Sequence, residues 1–205
     1  MVWEDLLPRQ VMTPGAFRNA AAAVLAVSGS INCIKHLQAT SVEAGAGVDV
    51  FRLFGDLAAG IPVLSAVAPN GPDSIEAFEA AGGARALMKQ LEPLLDLSAL
   101  TVSGRTVRDN LAGVAVGNAD VIRPLDRPFS RKPAIVLLTG SLAPDSAIVK
   151  LPIAEEKRKT KFAGTAVVYE NGPDAIAGIE RGEVRPGHVL VVRGMGPKGG
   201  PGMAG

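Results

Sequence analysis

The chain of 205 residues is poor in side chains that cross-link proteins or bind soft metals. Cysteine occurs once, at Cys33, and histidine twice, at His36 and His188. A disulfide needs two thiols, and a zinc or iron–sulfur site needs about three or four ligands of this type. The sequence therefore excludes a disulfide framework within the chain and a self-contained zinc or iron–sulfur site.

Long apolar runs are also missing. The longest, residues 20–27, is far shorter than the roughly 20 residues that a helix needs to cross a bilayer. The N-terminal residues do not show the basic segment followed by an apolar stretch that is typical of a secretory leader. We therefore predict no membrane partner and expect a cytoplasmic location.

Aromatic residues make up only 4% of the chain, which bears on how its uneven charge is interpreted. Residues 1–120 contain 8 Lys and Arg against 12 Asp and Glu, whereas residues 121–205 contain 13 against 8. Single-stranded nucleic acid is bound by basic surfaces that also carry stacking aromatics, but the basic run 157–161 has only Phe162 beside it. We predict no nucleic-acid partner and interpret this run as a solvated loop; a surface for an acidic partner domain is the alternative.

The rest of the composition, 47% hydrophobic and 20% charged, is typical of a globular protein. Up to about Leu111 the apolar residues recur at helical spacing. Capping residues and glycines predict helices from Thr13-Pro14 to Ser28-Gly29, from Ser30 to the glycines at 45–47, and from Asp49 to Gly60. A capping box of Asp73 and Glu76 is predicted to open a helical stretch over 75–91, broken at Gly82-Gly83.

Beyond Asn118 the pattern changes to short β-rich runs. They cover residues 134–138, 147–151, 165–169 and 189–193, and a helix at about 174–181 interrupts them. Between Gly113 and Asp120 the apolar period shifts from about 3.6 to about 2, and the charge balance reverses in the same region. We predict an α+β fold with one domain over residues 1–115 and a second over 116–205.

Two stretches have residue types suited to an anion. At the helix junction 28–32, Ser30 and Asn32 offer hydrogen-bond donors at a helix start, where the dipole favours negative charge; simple helix capping is the alternative. At the glycine-rich end, Gly199 and Gly200 let backbone N–H groups approach an anion and Lys198 adds a positive charge; an ordinary turn is the alternative. The spacing of a nucleotide-binding P-loop is absent.

No catalytic constellation can be recognised from spacing alone. We interpret His36 and Cys33 as packed residues of a helix, and no Ser/His/Asp order, zinc signature or close carboxylate pair stands out. Taken alone, the residues thus indicate a fold and not a reaction.

Three stretches, in order, resemble the dihydroxy-acid dehydratase and phosphogluconate dehydratase family. They are GSIN at 29–32 with HL at 36–37, VIRPL at 121–125 leading to GSLAPD at 140–145, and GPKGGPGM at 196–203. AAGGA at 80–84 and LTVSGRT at 100–106 resemble segments that members carry between the first two. Because members are much longer, the resemblance implies that this chain is an interior portion of a longer enzyme.

The resemblance implies both architecture and chemistry. The fold would be the helical end of an α/β N-terminal domain followed by part of a C-terminal β-barrel domain. The reaction would be the removal of water from a 2,3-dihydroxy acid to give a 2-keto acid in branched-chain amino-acid biosynthesis, in an enzyme that is a homodimer when complete. In the family, an iron–sulfur cluster assists departure of the C3 hydroxyl, Mg²⁺ polarises the carboxylate and C2 oxygen, and a deprotonated serine removes the C2 proton.

None of these catalytic groups or metal ligands maps onto this chain. The cluster cysteines and magnesium ligands match positions before Met1, the serine base matches a position after Gly205, and Cys33 does not match a cluster cysteine. Several members carry a magnesium-binding Glu where this chain has Gly205, which argues against metal ligation by this loop. For the chain alone we expect no bound cluster and no activity. The substrate-binding candidates are Ser30, Asn32, Lys198, Gly199 and Gly200.

Departures from the usual family residues at Ile31, Cys33, Lys35 and Ser141 indicate a divergent subgroup. Two other functions therefore stay open. One is a sugar-acid dehydratase of carbohydrate catabolism, acting on an aldonate or phosphogluconate. The other is a non-catalytic remnant or interaction module.

Overall fold

A computed structural model describes residues 5–196 of the chain. The chain divides into two compact units, Met1–Arg158 and Lys159–Gly205. The predicted domain boundary near residue 116 stays a prediction, because the division into compact units does not test it.

Residues 5–158 are mainly helical up to Leu111, as the apolar spacing predicts. In the described part of this unit the helices are α1 (Pro8–Val11), α2 (Pro14–Ala26), α3 (Asn32–Ala44), α4 (Val50–Ala58), α5 (Ile75–Ala80), α6 (Gly83–Gln90) and α7 (Val107–Leu111). Short 3-10 turns lie at Glu92–Leu94 and Glu155–Lys157.

Side-chain caps fix where two of the predicted helices begin. Thr13 Oγ1 accepts the backbone N–H of Ala16 at 3.4 Å, and Pro14 is the first residue of α2. Asp49 Oδ1 accepts the backbone N–H of Arg52 at 3.0 Å and begins α4. Such caps stabilise a helix by about 0.5–2 kcal/mol, because they satisfy backbone donors that have no partner inside the helix.

The predicted cap of α5 is wrong by one residue, although the helix begins at Ile75 as predicted. Asp73 and Glu76 do not form its capping box; Ser74 is the N-cap, and its Oγ accepts the backbone N–H of Ala77 at 3.2 Å. The predicted break between α5 and α6 is confirmed, and Gly82 and Gly83 adopt φ of 109° and 57° there. Positive φ values of this kind favour glycine, which has no Cβ.

The predicted start of α3 at Ser30 is also wrong, because the helix begins at Asn32. Ser28 has a left-handed φ of 47°, which interrupts the helical path after α2. Ser30 Oγ then accepts the backbone N–H of Asn32 at 3.2 Å. The chain therefore makes a tight turn through residues 27–31 before the next helix begins.

The core of this unit forms where α2, α3, α4 and α6 pack together. Phe54 is 1% exposed and Ile34 is fully buried. Ile135 joins the same cluster from outside the helices. Burial of each such side chain stabilises the fold by about 1.5–3 kcal/mol.

A polar link holds α2 to the chain that follows the Glu92–Leu94 turn. Asn19 is only 4% exposed. Its Nδ2 donates to the carbonyl oxygen of Asp96 at 2.8 Å, and its Oδ1 accepts the Asp96 N–H at 2.8 Å. The buried amide thus uses its oxygen and one of its two N–H donors.

The strands β1 (Ile135–Leu138) and β2 (Ala147–Lys150) form an antiparallel pair in the same unit. Ile135 lies opposite Lys150, and β1 packs against α4. The predicted runs 134–138 and 147–151 are confirmed to within one residue at each end.

The described residues 159–196 contain β3 (Thr165–Tyr169), α8 (Gly172–Glu180) and β4 (His188–Val192). The two strands are parallel, with Thr165 opposite His188. Asn171 Oδ1 accepts the N–H of Asp174 at 2.9 Å, so α8 begins two residues before the predicted helix. A Cβ added at Gly178 would lie 2.0 Å from Tyr169 Oη, so a larger residue there forces the tyrosine side chain to shift.

The α+β prediction is confirmed by this combination of helices and small sheets. Within residues 5–196 each sheet has two strands, and neither closes into a barrel. No helix in this part of the chain is long and apolar enough to cross a membrane.

Candidate functional site

The turn between α2 and α3 presents two backbone carbonyls to side chains from distant parts of the chain. Lys150 Nζ donates to the carbonyl oxygens of Ser28 at 2.7 Å and of Gly29 at 2.6 Å. Asn70 Nδ2 donates to the same Ser28 oxygen at 2.9 Å. The turn, the loop that contains Asn70 and the end of β2 therefore meet at one point.

An open pocket of about 570 Å³ lies at this meeting point. Most of its wall is apolar, and its few polar groups come from the turn, the Asn70 loop and β2. The lining residues are Val27, Ser28, Gly29, Ser30, Ile31, Val67, Ala68, Pro69, Asn70, Ile75, Phe78 and Lys150. Small-molecule sites commonly have this size and composition, about 300–1,000 Å³ with a few polar groups among apolar walls.

Among the residues of 5–196 that line the pocket, Lys150 is the one that is charged. Burial lowers the pKa of its ammonium from the ordinary value of 10.5, and the nearby Cys33 thiol opposes that change. Removal of a cation from water disfavours its charged form unless a partner compensates. The two carbonyl oxygens compensate in part, but neither carries a full negative charge.

Ser28 combines two unfavourable features at the edge of this pocket. Its side chain is fully buried, and its left-handed φ is uncommon for a residue with a Cβ. Its hydroxyl also has no hydrogen-bond partner among the described residues. Strained residues and unsatisfied buried groups cluster at functional sites, so Ser28 supports a functional role for the turn.

Of the two sequence-predicted candidates within residues 5–196, one lines this pocket. Ser30 does so, and its hydroxyl also caps the turn by accepting the Asn32 N–H. Asn32 instead lines a neighbouring pocket of about 400 Å³, which also contains Lys35 and Phe51. Lys198, Gly199 and Gly200 lie outside the described residues, so their place near either pocket stays a prediction.

The sequence interpretation missed Lys150 and Asn70. Lys150 ends the otherwise apolar run AIVK at 147–150, and a lysine in such a run is the one local signal that could have drawn attention to it. Asn70 lies in a Pro-Asn-Gly turn and gives no signal beyond that of a turn residue.

The donor set does not fit an iron–sulfur cluster or a magnesium site. Among residues 5–196, no three His, Cys, Asp or Glu side chains come together in a group that could hold a metal ion. Cys33 is the single thiol of the chain, whereas a cluster is held by about three or four thiolates. The arrangement can therefore bind and orient a small molecule, but it does not supply metal ligands.

Comparison with known proteins identifies the family of this chain. The N-terminal model of the dihydroxy-acid/6-phosphogluconate dehydratases matches residues 1–110, and the C-terminal model matches residues 120–205. The chain belongs to the dihydroxy-acid/6-phosphogluconate dehydratase family. This family membership confirms the resemblance seen in the sequence motifs.

Individual members of the family are similar over nearly the whole chain. The dihydroxy-acid dehydratase of Ignicoccus hospitalis is 39% identical over 205 residues, which cover 99% of this chain and 37% of the relative. That of Moorella thermoacetica is 40% identical with the same coverage, and that of Caldicellulosiruptor bescii is 39% identical over 207 residues. The chain thus spans 37% of the length of these curated relatives.

Proposed function

We propose that this chain is an interior portion of a hydro-lyase that dehydrates a 2,3-dihydroxy acid to a 2-keto acid. The observation that carries the proposal is the similarity of 99% of the chain to proteins named dihydroxy-acid dehydratase. The same name favours a dihydroxy acid over a sugar acid as substrate. The apolar walls of the Lys150 pocket also favour a branched-chain dihydroxy acid over a polyol.

The described residues contribute binding and orientation in this proposal. Dehydration breaks the C3–O and C2–H bonds, and the resulting enol takes up a proton at C3 to give the keto acid. Hydroxide is a poor leaving group and the C2–H is a weak acid, so the reaction needs a Lewis acid and a base. In the family an iron–sulfur cluster and Mg²⁺ supply the Lewis acids. Since residues 5–196 contain no ligand set for either, those ligands and the base belong to other parts of the complete enzyme.

Four further features of the complete enzyme belong to the same proposal. The C-terminal part is a β-barrel domain to which the β-rich runs beyond Asn118 contribute. The domain boundary lies near residue 116, which is supported by matches that end at 110 and begin at 120. The enzyme is a homodimer, and it is cytoplasmic.

A chimera tests the proposed reaction. The matching segment of the Moorella thermoacetica relative is replaced by this chain, and keto-acid formation is measured with 2,3-dihydroxy-3-methylbutanoate and with gluconate. We expect conversion of the branched acid and little conversion of gluconate. A folded chimera, as judged by circular dichroism, that converts neither acid contradicts the proposal, and one that prefers gluconate supports the sugar-acid alternative.

The same chimera tests the predicted substrate contacts. Asn32→Ala and Lys198→Ala should each lower turnover well beyond any loss of folded protein, because each removes a polar group proposed to contact the substrate. Lys157→Ala is the matched control, since Lys157 is an exposed lysine outside both pockets. Unchanged kinetics in the Asn32 and Lys198 variants would reject these two contacts.

A further inference from the structure

The pocket beside the α2–α3 turn contains an amine whose surroundings disfavour its charge. Among the residues of 5–196 that line the pocket, none carries a carboxylate, and Lys150 forms no ion pair in this part of the chain. Burial lowers the pKa of the Lys150 ammonium, and the Cys33 thiol on α3 opposes this change. Near neutral pH a larger fraction of Lys150 is therefore uncharged than of an exposed lysine.

The hydrogen bonds of Lys150 are compatible with the uncharged amine as well as with the ammonium. Nζ lies 2.7 Å from the carbonyl oxygen of Ser28 and 2.6 Å from that of Gly29. A neutral primary amine has two N–H donors and one lone pair, so its two donors satisfy both oxygens. The lone pair then remains available to attack an electrophile. An uncharged lysine in an apolar pocket is a good nucleophile toward carbonyl compounds.

Asn70 makes an adduct at Lys150 compatible with the turn. When an amine reacts with an aldehyde it forms an imine, and a protonated imine has a single N–H. That N–H can stay on the Gly29 oxygen, because Asn70 Nδ2 already donates to the Ser28 oxygen at 2.9 Å. Both backbone carbonyls therefore keep a donor after the amine has reacted, and neither is left with the cost of an unsatisfied polar group.

The remaining wall of the pocket indicates which carbonyl compounds fit. The pocket is open and has a volume of about 570 Å³. A hydrocarbon body placed there gains from leaving water, whereas hydroxyl groups would lose hydrogen bonds to water without replacement. The walls therefore favour a small aldehyde with an apolar body. The apolar side chains that form them are Val27, Ile31, Val67, Ile75 and Phe78.

We propose that Lys150 is a site of covalent modification that forms an imine with small apolar aldehydes, while Asn70 keeps the turn in place. The Nζ lone pair forms a bond to the aldehyde carbon, and the aldehyde oxygen leaves as water with both amine hydrogens. A proton from solvent then gives the protonated imine. The step needs no oxidant or reductant. The proposal is independent of the dehydratase function, because it is measured on this chain without that reaction.

The test is competitive labelling of the folded 205-residue chain with butanal and cyanoborohydride near neutral pH. Cyanoborohydride reduces an imine to a stable secondary amine but does not trap an adduct of Cys33, and peptide mass spectrometry assigns each label to a residue. Lys157, an exposed lysine outside the pocket lining, is the internal control. We expect the initial labelling of Lys150 to be about five-fold faster than that of Lys157, or more.

The ratio of the two labelling rates should depend on folding and on pH. In urea it should approach one, because unfolding removes the pocket. In the folded chain it should fall as pH rises toward 10.5, the ordinary pKa of a lysine, because the exposed amine of Lys157 then also loses its charge. A lysine that is only a structural clasp would instead be shielded, and it would be labelled more slowly than Lys157 at every pH.

A charge substitution in the pocket tests the site without removing a bond of Lys150. Ile75 lines the pocket from α5 with a side chain that is 55% exposed. In Ile75→Glu a carboxylate favours the charged ammonium, so labelling of Lys150 should slow by about five-fold with no change at Lys157. Val42→Glu is the matched control, since Val42 is 67% exposed on α3 and lies outside the pocket lining.

Asn70→Ala tests the second residue of the proposal. The imine would then leave the Ser28 oxygen without a donor, so the trapped yield at Lys150 should fall by about three-fold. If Asn70 only restrained the turn, its loss would expose Lys150 and labelling would become faster. An unchanged or higher yield overturns the role of Asn70.

The choice of aldehyde tests the apolar walls. Glyceraldehyde has the same reactive group as butanal on a hydroxylated body, so it should give a lower ratio of Lys150 to Lys157 labelling. Faster labelling of Lys150 that is lost in Ile75→Glu but not in Val42→Glu supports the site, even if Asn70→Ala fails to fold. Labelling of Lys150 no faster than that of Lys157, an unchanged rate in Ile75→Glu, or equal ratios for the two aldehydes overturns the proposal.

Discussion

The ammonium nitrogen of Lys150 lies 2.7 Å from the carbonyl oxygen of Ser28, although 122 positions separate the two residues in the chain. This bond joins the end of β2 to the turn between α2 and α3. It also places a half-buried cation beside a residue whose backbone is in an uncommon conformation and whose hydroxyl has no partner among residues 5–196. The turn is therefore held by a lysine from a distant part of the chain as well as by the Ser30 hydroxyl of its own sequence.

Ser28→Gly is expected to stabilise the chain. Glycine adopts the left-handed φ of 47° without steric cost, and the substitution removes a buried unsatisfied hydroxyl. After the greater freedom of glycine in the unfolded state is subtracted, we expect a gain of about 1 kcal/mol in the free energy of unfolding, measured by urea denaturation. Ser28→Ala removes the hydroxyl but keeps the Cβ, so it should gain less than glycine. A Gly variant less stable than the wild type would show that the hydroxyl is satisfied in solution.

Asn19→Ala should destabilise the chain by about 2 kcal/mol, because it removes both hydrogen bonds to the Asp96 backbone from a buried position. The change is measured as the midpoint shift in urea unfolding. Arg52→Ala is the control. Its ion pair with Asp56 spans 3.8 Å between side chains that are 80% and 71% exposed, and should contribute less than about 0.5 kcal/mol. Equal midpoint shifts in the two variants would show that the hydrogen bonds between Asn19 and Asp96 do not stabilise the fold.

Phe54 and Phe162 give a matched pair of aromatic substitutions. Phe54 is 1% exposed in the main core, and Phe162 is 65% exposed. Phe54→Ala should cost about 3–5 kcal/mol, because the cavity it leaves adds to the lost apolar burial. Phe162→Ala should change the free energy of unfolding by less than about 0.5 kcal/mol. Thermal unfolding followed by circular dichroism distinguishes the two, and similar costs would mean that Phe162 is buried in solution.

Glu155 should make stability depend on pH in the acid range. The Lys132 ammonium, at 2.9 Å from Oε2, and then the Ser130 hydroxyl lower the pKa of this carboxyl below its ordinary 4.5. A carboxyl whose pKa is lowered by folding contributes stability that is fully present above the unfolded pKa and is lost as pH falls through the folded value. Wild type should therefore melt higher than Glu155→Gln near neutral pH, and the difference should disappear as pH falls below 4.5. Glu156→Gln, at an exposed neighbouring position, should show a smaller difference, and a constant gap for Glu155→Gln at all pH values would reject the assignment.

Helices and strands are predictable here because their signals are local. Thr13 and Asp49 are cap residues directly before apolar residues at helical spacing, and both are confirmed. Asp73 and Ser74 are both good caps, and local chemistry does not separate them. The difference is tertiary: the Asp73 backbone N–H donates to the Ala66 carbonyl at 3.2 Å, which commits that residue to a pairing with the preceding segment.

The basic run 157–161 also shows that local sequence does not reveal tertiary contacts. Lys157, Lys159 and Lys161 are exposed, as a solvated loop predicts. Arg158 differs, because its guanidinium donates to the carbonyl oxygens of Pro152 at 2.8 Å and Pro133 at 3.1 Å. Charge patterns indicate which residues prefer water, but they do not show which backbone carbonyls lack donors in the folded chain.

The candidate site was predictable only in part. A helix start rich in Ser and Asn indicated the turn, and Ser30 does line the pocket. The pocket also needs Lys150 and Asn70, which reach the turn from positions 122 and 42 residues away in the chain. Contacts over such separations depend on how the helices and β2 pack, and hydrophobic periodicity carries no information about them.

The contact between Gly178 and Tyr169 has a consequence for how this sequence can evolve. Tyr169 Oη occupies the space that any side chain at position 178 would need, so alanine is accessible there only if the tyrosine side chain shifts or is replaced by something smaller. Substitutions at the two positions should therefore be correlated. Among descendants of this gene, lineages that have lost the glycine are expected to have lost the phenol more often than lineages that keep it.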